Sequence, residues 1–108
     1  MGQELTPILI ALAEPKRLNI VELLRKGPLT VGEIAEQLGL LQPQTSKHLK
    51  VLSEAGLVEA EAHANRRLYK LRQKPFEDMN DWLHSFHQVW NGRFDRLEKY
   101  LESMQKNQ

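Results

Sequence analysis

Apolar residues recur every three or four positions along the first quarter of the chain, which is typical of amphipathic helices. The first predicted helix covers residues 4–13, and Pro7 is tolerable in its opening turn, where backbone N–H groups lack helical partners. A second helix begins at Pro15 and buries a broad apolar face. It ends at Gly27-Pro28, because this pair stops helices.

Two further helices follow, separated by a short turn. Thr30, with Glu33 three residues later, fits the capping box that begins a helix. Gly39 can take the left-handed conformation that ends this third helix, and a fourth is predicted from Gln42 to Ala55. Two short helices joined by a glycine-containing turn are typical of a helix-turn-helix, which places its second helix in the DNA major groove.

The periodicity changes from helical to alternating after Gly56. Residues 57–61 and 67–71 each alternate apolar and polar side chains, as half-buried strands do. Asn65, between them, can take a turn conformation. The pattern therefore predicts a two-stranded hairpin beside the helix-turn-helix, which is the wing of a winged helix.

Composition and charge exclude several classes of protein. The 108 residues include no cysteine, so disulfides and thiolate metal sites are excluded. No run approaches the ~20 apolar residues of a membrane span, and no signal peptide is recognisable, so we expect a cytoplasmic protein without a membrane partner. Residues 43–74 carry seven Lys/Arg against three Glu, whereas residues 75–108 carry four Lys/Arg against six Asp/Glu. A basic central third is a weak footprint for nucleic acid.

The ordered set of motifs resembles the bacterial ArsR-type winged helix-turn-helix repressors. The similarity covers about residues 5–104 and is carried by ALAEPKRLNIVELL (11–24), LTVGEIAEQLGL (29–40), QPQTSKHLKVLSEAGLVEA (42–60) and RRLYKL (66–71). The tail over residues 75–102 further resembles the cysteine-free autorepressor branch. The resemblance implies a mainly α-helical fold with a small β-hairpin. It also implies a homodimer, joined by the first and last helices, on an inverted-repeat operator that for an autorepressor is its own.

A single winged-helix DNA-binding domain is accordingly expected over residues 1–108, with the helix-turn-helix and wing in residues 29–74. The expected partners are double-stranded DNA and a second copy of the chain. The candidate DNA contacts are the polar face of the fourth helix and the hairpin tip, namely Gln42, Gln44, Thr45, Ser46, Lys47, His48, Lys50, Arg66 and Arg67. A solvated helix face and a charged strand edge are the alternatives.

Some positions in and beside this set carry a particular expectation. His48 is as well placed to pack within the protein as to contact DNA. Arg66, nearer the hairpin tip, is a better DNA candidate than Arg67. The family often has Ser at the position of Leu41, which cannot cap the fourth helix, and an aliphatic residue at the position of Thr45.

From Phe76 to about Met104 the apolar residues recur at steps of three or four without a proline, which predicts one long helix. Its apolar surface exceeds what one small chain can cover. We therefore predict dimerisation helices over residues 4–13 and 75–104, with an interface formed by Leu5, Leu9, Leu83, Phe86, Trp90, Phe94, Leu97 and Leu101. A ligand pocket lined by the aromatic residues is the alternative.

Other functional classes have weaker support. His84 and His87 are three residues apart, but the metal-sensing pattern of the family would here be filled by Trp82, His84, Asp95 and Glu98, a poor ligand set for zinc. No metal and no cofactor are therefore expected, and no catalytic or phosphate-binding motif indicates an enzyme. A metal- or ligand-gated sensor and a winged-helix protein-interaction module remain alternatives. The sequence names no small-molecule effector.

Overall fold

The computed structural model describes the backbone of residues 2–106 and the side chains of residues 5–90 and 96–105. Over this part of the chain six helices and two strands follow in the order α1 (Gly2–Leu12), α2 (Pro15–Leu24), α3 (Val31–Leu38), α4 (Gln42–Glu54), β1 (Val58–His63), β2 (Arg66–Leu71), α5 (Gln73–Ser85) and α6 (His87–Lys106). The predicted helix-turn-helix and its hairpin are therefore present. Contacts group the chain into two compact units, which divide between Phe76 and Glu77.

Helices α1 and α2 are joined through Arg17. Glu14 caps α2 by accepting the Arg17 backbone N–H at 2.9 Å. The Arg17 guanidinium reaches back and donates from Nε to the carbonyl of Ala11 at 2.7 Å. The last carbonyls of a helix lack N–H partners within the helix, and this contact supplies one for Ala11. It also connects α1 to α2 across the short turn between them.

The turn from α3 to α4 forms for the reasons visible in the sequence. The Thr30 hydroxyl accepts the Glu33 N–H at 3.2 Å, and the Glu33 carboxylate accepts the Thr30 N–H at 2.9 Å, so the capping box is complete. Gly39 ends α3 with φ +66°, a conformation that costs other residues about 1–2 kcal/mol. Helix α4 begins without a side-chain cap, because Leu41 has no acceptor.

The hairpin pairs β1 and β2 antiparallel, from Val58 opposite Leu71 to His63 opposite Arg66. Its two-residue turn places the positive φ, +59°, on Ala64. Asn65, which the sequence predicted in the turn, is the second of its two residues. The turn has only two residues because the register pairs His63 with Arg66 and leaves residues 64 and 65 between the strands.

The core of the first unit is formed by the inner faces of α1–α4 and the start of β1. Its fully buried apolar side chains include Ile20, Ile34, Leu49, Leu52 and Leu57. Burying one such side chain contributes about 1.5–3 kcal/mol.

Leu5 belongs to the same core. Only 7% of its surface is exposed, because α1 packs against α2 and α4 with this residue inside. The structure therefore contradicts its prediction as a dimer contact, since little of it remains for a partner to cover.

The single long helix predicted from Phe76 to Met104 is interrupted at Phe86. The Ser85 hydroxyl donates to the carbonyl of Trp82 at 2.6 Å, and the Phe86 N–H bonds the carbonyl of Leu83, three residues back. These contacts replace the i→i−4 pattern with a tighter turn, as serine hydroxyls often do in helices. Apolar periodicity continues across the break, and so the sequence pattern alone did not show it.

Candidate DNA interface

The outer face of α4 presents polar and basic side chains to solvent. Gln42, Ser46, Lys47 and Lys50 are exposed, whereas Gln44 is half-buried. Among the side chains that the structure describes, no carboxylate lies within ion-pair distance of either lysine. Two unpaired ammonium groups on one exposed helix face can each contact a DNA phosphate or a guanine.

Thr45 was expected among the DNA contacts, and the structure contradicts this. Its side chain is 0% exposed, and its hydroxyl donates to the carbonyl of Leu41 at 3.0 Å. At helical spacing Thr45 shares the inner face of α4 with Leu49 and Leu52, both buried. A residue enclosed in the core cannot reach a base edge, so Thr45 acts inside the protein.

His48 is half-buried and lies near the start of α2. The pKa of the Glu14 carboxyl is lowered, chiefly by the Arg17 N–H that it accepts, and an electrostatic interaction with His48 also lowers it. His48 is therefore close enough to Glu14 for an electrostatic attraction within the protein. Its surroundings fit the packing alternative as well as the DNA alternative.

Much of the basic charge of the wing is compensated within the hairpin. The Lys70 ammonium lies 3.1 Å from Glu61 and 3.8 Å from Glu59, and the Arg72 guanidinium lies 3.8 Å from Glu59. The hydrogen bond to Glu61 raises the pKa of Lys70. These two cations are thus less available to phosphate than a count of charges along residues 43–74 suggests.

The two arginines at the hairpin tip have different partners. Arg66 is exposed and donates from Nη2 to the Glu33 carboxylate at 3.1 Å, which ties the wing to the first turn of α3. The pKa of Glu33 is lowered, first by the Thr30 N–H and to a smaller extent by Arg66. The Arg67 guanidinium lies over the ring of Tyr69, 5.7 Å from its centroid, and the residue is exposed.

The predicted interface residues of α5 and α6 are exposed apolar side chains within the second unit. Leu83, Phe86, Trp90, Leu97 and Leu101 are 41–57% exposed, and the Phe86 ring packs edge-on against Trp82 at 5.2 Å. The side chain of Phe94 lies outside the described residues. An apolar surface of this extent is unusual on a chain that works alone.

Helix α1 presents its own apolar surface in the first unit. Leu9 is 39% exposed, and Ile10 beside it is 63% exposed. Sequence reasoning did not select Ile10, although an isoleucine that lies off the helix face shared by Leu5 and Ile8 is the signal that could have done so. Leu9 and Ile10 are thus large apolar side chains of α1 that remain open to a partner.

The two histidines of the tail stack on each other. The rings of His84 and His87 are 5.1 Å apart at an interplanar angle of 30°. In the described part of the chain no group of three or more His, Asp or Glu could hold a metal ion. None of the helices within the described residues could span a membrane.

Comparison with known proteins identifies the family. The family model for bacterial regulatory proteins of the arsR family matches residues 14–60. The HTH-type transcriptional regulator Rv2034 of Mycobacterium tuberculosis is 49% identical over 61 residues, which cover 56% of this chain and 57% of that protein. The transcriptional repressor SdpR of Bacillus subtilis is 30% identical over 76 residues, which cover 70% of this chain and 84% of the repressor. This chain belongs to the ArsR family.

A solved ArsR-like structure has the same fold. The homodimeric winged helix-turn-helix DNA-binding domain of Mb0332 from Mycobacterium bovis matches with a TM-score of 0.66 at 27% identity, covering 79% of this chain and 82% of that one. The prediction of an ArsR-type winged helix-turn-helix regulator is confirmed, and the relatives named here are regulators rather than enzymes. In this ArsR-family chain α4 is the second helix of the helix-turn-helix, which is the position of the recognition helix in such motifs.

Proposed function

We propose that this chain is a homodimeric transcriptional repressor that binds double-stranded DNA in the bacterial cytoplasm. The observation that carries the proposal is the exposed face of α4, on which Lys47 and Lys50 have no carboxylate partner among the described side chains. Gln42 and Ser46 add hydrogen-bonding groups to the same helix, so one surface supplies both phosphate contacts and base contacts.

Two copies of the chain place two recognition helices on one face of the DNA. Helices docked in successive major grooves are about 34–36 Å apart, which is one turn of the duplex. A two-fold symmetric dimer reads the same sequence on opposite strands, and so the operator is an inverted repeat.

The exposed apolar side chains of α1 and α6 support the dimer. Leu97 is 52% exposed within its own chain, so changing it to glutamate leaves that chain's core intact. We expect Leu97→Glu to dissociate the dimer, because a carboxylate without a partner is costly to bury. Lys99→Glu, on the same helix but two residues away and facing elsewhere, is the matched control. Sedimentation that shows Leu97→Glu dimeric at the wild-type concentration contradicts the proposed interface.

The DNA-binding face is tested on genomic fragments selected by the wild-type protein at physiological salt. The double variant Lys47→Ala, Lys50→Ala is expected to bind them roughly tenfold or more weakly, because four phosphate contacts per dimer are removed. Lys26→Ala removes an exposed lysine near the C-terminal end of α2 and is expected to bind as wild type does. Unchanged binding by the double variant in a mobility-shift assay contradicts the assignment of this face.

A further inference from the structure

Leu41 is the most exposed large apolar side chain in the described part of the chain, with 75% of its surface open to solvent. It directly precedes α4, whose first turn is the part of a recognition helix that contacts base edges. Isolated apolar residues on a surface are ordinary, so exposure by itself assigns no role to Leu41. The position of Leu41 at the start of α4 is the second observation that points to a role in binding DNA.

The backbone of Leu41 is fixed by the protein core. Its carbonyl accepts two hydrogen bonds, from the N–H and from the hydroxyl of Thr45, both at 3.0 Å. Thr45 is itself fully buried. The backbone that carries the exposed leucine is therefore held in place before any ligand arrives, which lowers the backbone entropy lost on contact.

A leucine at this position weakens the helix that it precedes. Leu41 makes no side-chain hydrogen bond to the first turn of α4, whereas Thr30 makes a complete capping box at the start of α3. Ser, Thr, Asp or Asn would cap better and would expose no apolar surface. The major groove offers one apolar partner at base edges, the C5-methyl group of thymine.

We propose that Leu41 contacts the C5-methyl group of one thymine in each half-site and makes the protein prefer thymine there. The inference rests on the proposed function, because it needs the recognition helix to enter the major groove. Leu41 would then be an apolar residue that reads sequence, beside the polar and basic residues that contact phosphates and the hydrogen-bonding edges of bases.

The test replaces thymines of the selected operator with deoxyuridine, one symmetric pair at a time, which removes only the methyl groups. Losing contact with one buried methyl group corresponds to about a fourfold loss of affinity, or about fifteenfold for two half-sites. We expect one thymine pair to show this loss with the wild-type protein and no loss with Leu41→Ser. Leu18→Ser, which changes a leucine that is 44% exposed on α2, is expected to keep the wild-type loss.

The outcomes separate this inference from the proposal beneath it. Leu41→Ser supplies a capping hydroxyl, so its thermal stability is expected to equal or exceed that of the wild type, and misfolding does not explain a lost preference. If Leu41→Ser still distinguishes thymine from deoxyuridine as the wild type does, or if no thymine pair affects the wild type, the inference is overturned. If the wild type retains no DNA fragment, the proposed function fails and the inference fails with it.

Discussion

Replacing Thr45 by valine tests whether this residue serves the core or the DNA. The hydroxyl contributes a hydrogen bond to the Leu41 carbonyl at 3.0 Å, worth about 0.5–1.5 kcal/mol. The methyl group that replaces it recovers about 0.8 kcal/mol of apolar burial. The carbonyl is not left without a donor, because it still accepts the N–H of residue 45. The free energy of unfolding is therefore expected to change by less than about 1 kcal/mol.

Thr45→Ala is the matched perturbation. It removes both the hydroxyl and the buried γ-methyl group of the threonine and puts nothing in their place. The lost hydrogen bond and lost burial together predict a destabilisation of about 2 kcal/mol. For a domain of this size that corresponds to a decrease in Tm of roughly 10 °C. Thermal unfolding at one fixed protein concentration measures both variants, since the stability of a dimer depends on concentration.

Operator binding by Thr45→Val supplies the decisive comparison. If the hydroxyl acts only inside the protein, the variant binds the operator with wild-type affinity, within about twofold. A loss of tenfold or more at unchanged Tm would refute the reasoning, because a buried group that matters for affinity must become accessible when DNA binds. Equal stability of the alanine and valine variants would contradict the assigned burial.

Three further predictions concern charge, backbone conformation and pH. The slope of log K against log salt is expected to be shallower by about 3.6 for the Lys47→Ala, Lys50→Ala dimer, at about 0.9 per phosphate contact, and an unchanged slope contradicts those contacts. Gly39→Ala is expected to lose about 1–2 kcal/mol of stability, whereas Ala64→Gly at φ +59° loses none, as denaturant unfolding would show. The pKa of Glu33 lies below its ordinary 4.5. The contribution of Glu33 to stability is therefore present above pH 4.5 and is lost as the pH falls through the lowered pKa. In that acidic range the free energy of unfolding of Glu33→Gln is expected to depend less on pH than that of the wild type.

The elements of the first unit were predictable because local chemistry decides them. The capping box of Thr30 and Glu33 and the left-handed Gly39 each need only a few neighbouring residues to form. The break at Phe86 depends instead on a serine hydroxyl competing for a backbone carbonyl, and serine is also common in unbroken helices. Apolar periodicity therefore predicted the helical conformation of the tail correctly and its continuity wrongly.

The candidate site was less predictable, because its charges depend on tertiary partners. The register places Glu59 directly opposite Lys70. This cross-strand pair follows once the turn is known to have two residues, because the length of the turn fixes which residues lie opposite each other. The ion pair of Arg66 with Glu33 joins residues 33 positions apart and follows from no local pattern. Burial of Thr45 could be seen in the helical spacing with Leu49, although its hydroxyl is of a kind that also contacts DNA.

The pairing of Arg66 changes how the wing can take part in DNA binding. Both side chains of the pair are largely exposed, 57% for Arg66 and 42% for Glu33, and ion pairs in such surroundings contribute little to stability. Glu33 keeps its hydrogen bonds to Thr30 when Arg66 leaves, so α3 retains its cap. We therefore expect Arg66 to exchange the carboxylate for a phosphate when DNA approaches. In that case Glu33→Gln frees Arg66 in advance and raises operator affinity, whereas an Arg66 that only anchors the wing predicts lower affinity, because the wing then loses its fixed position.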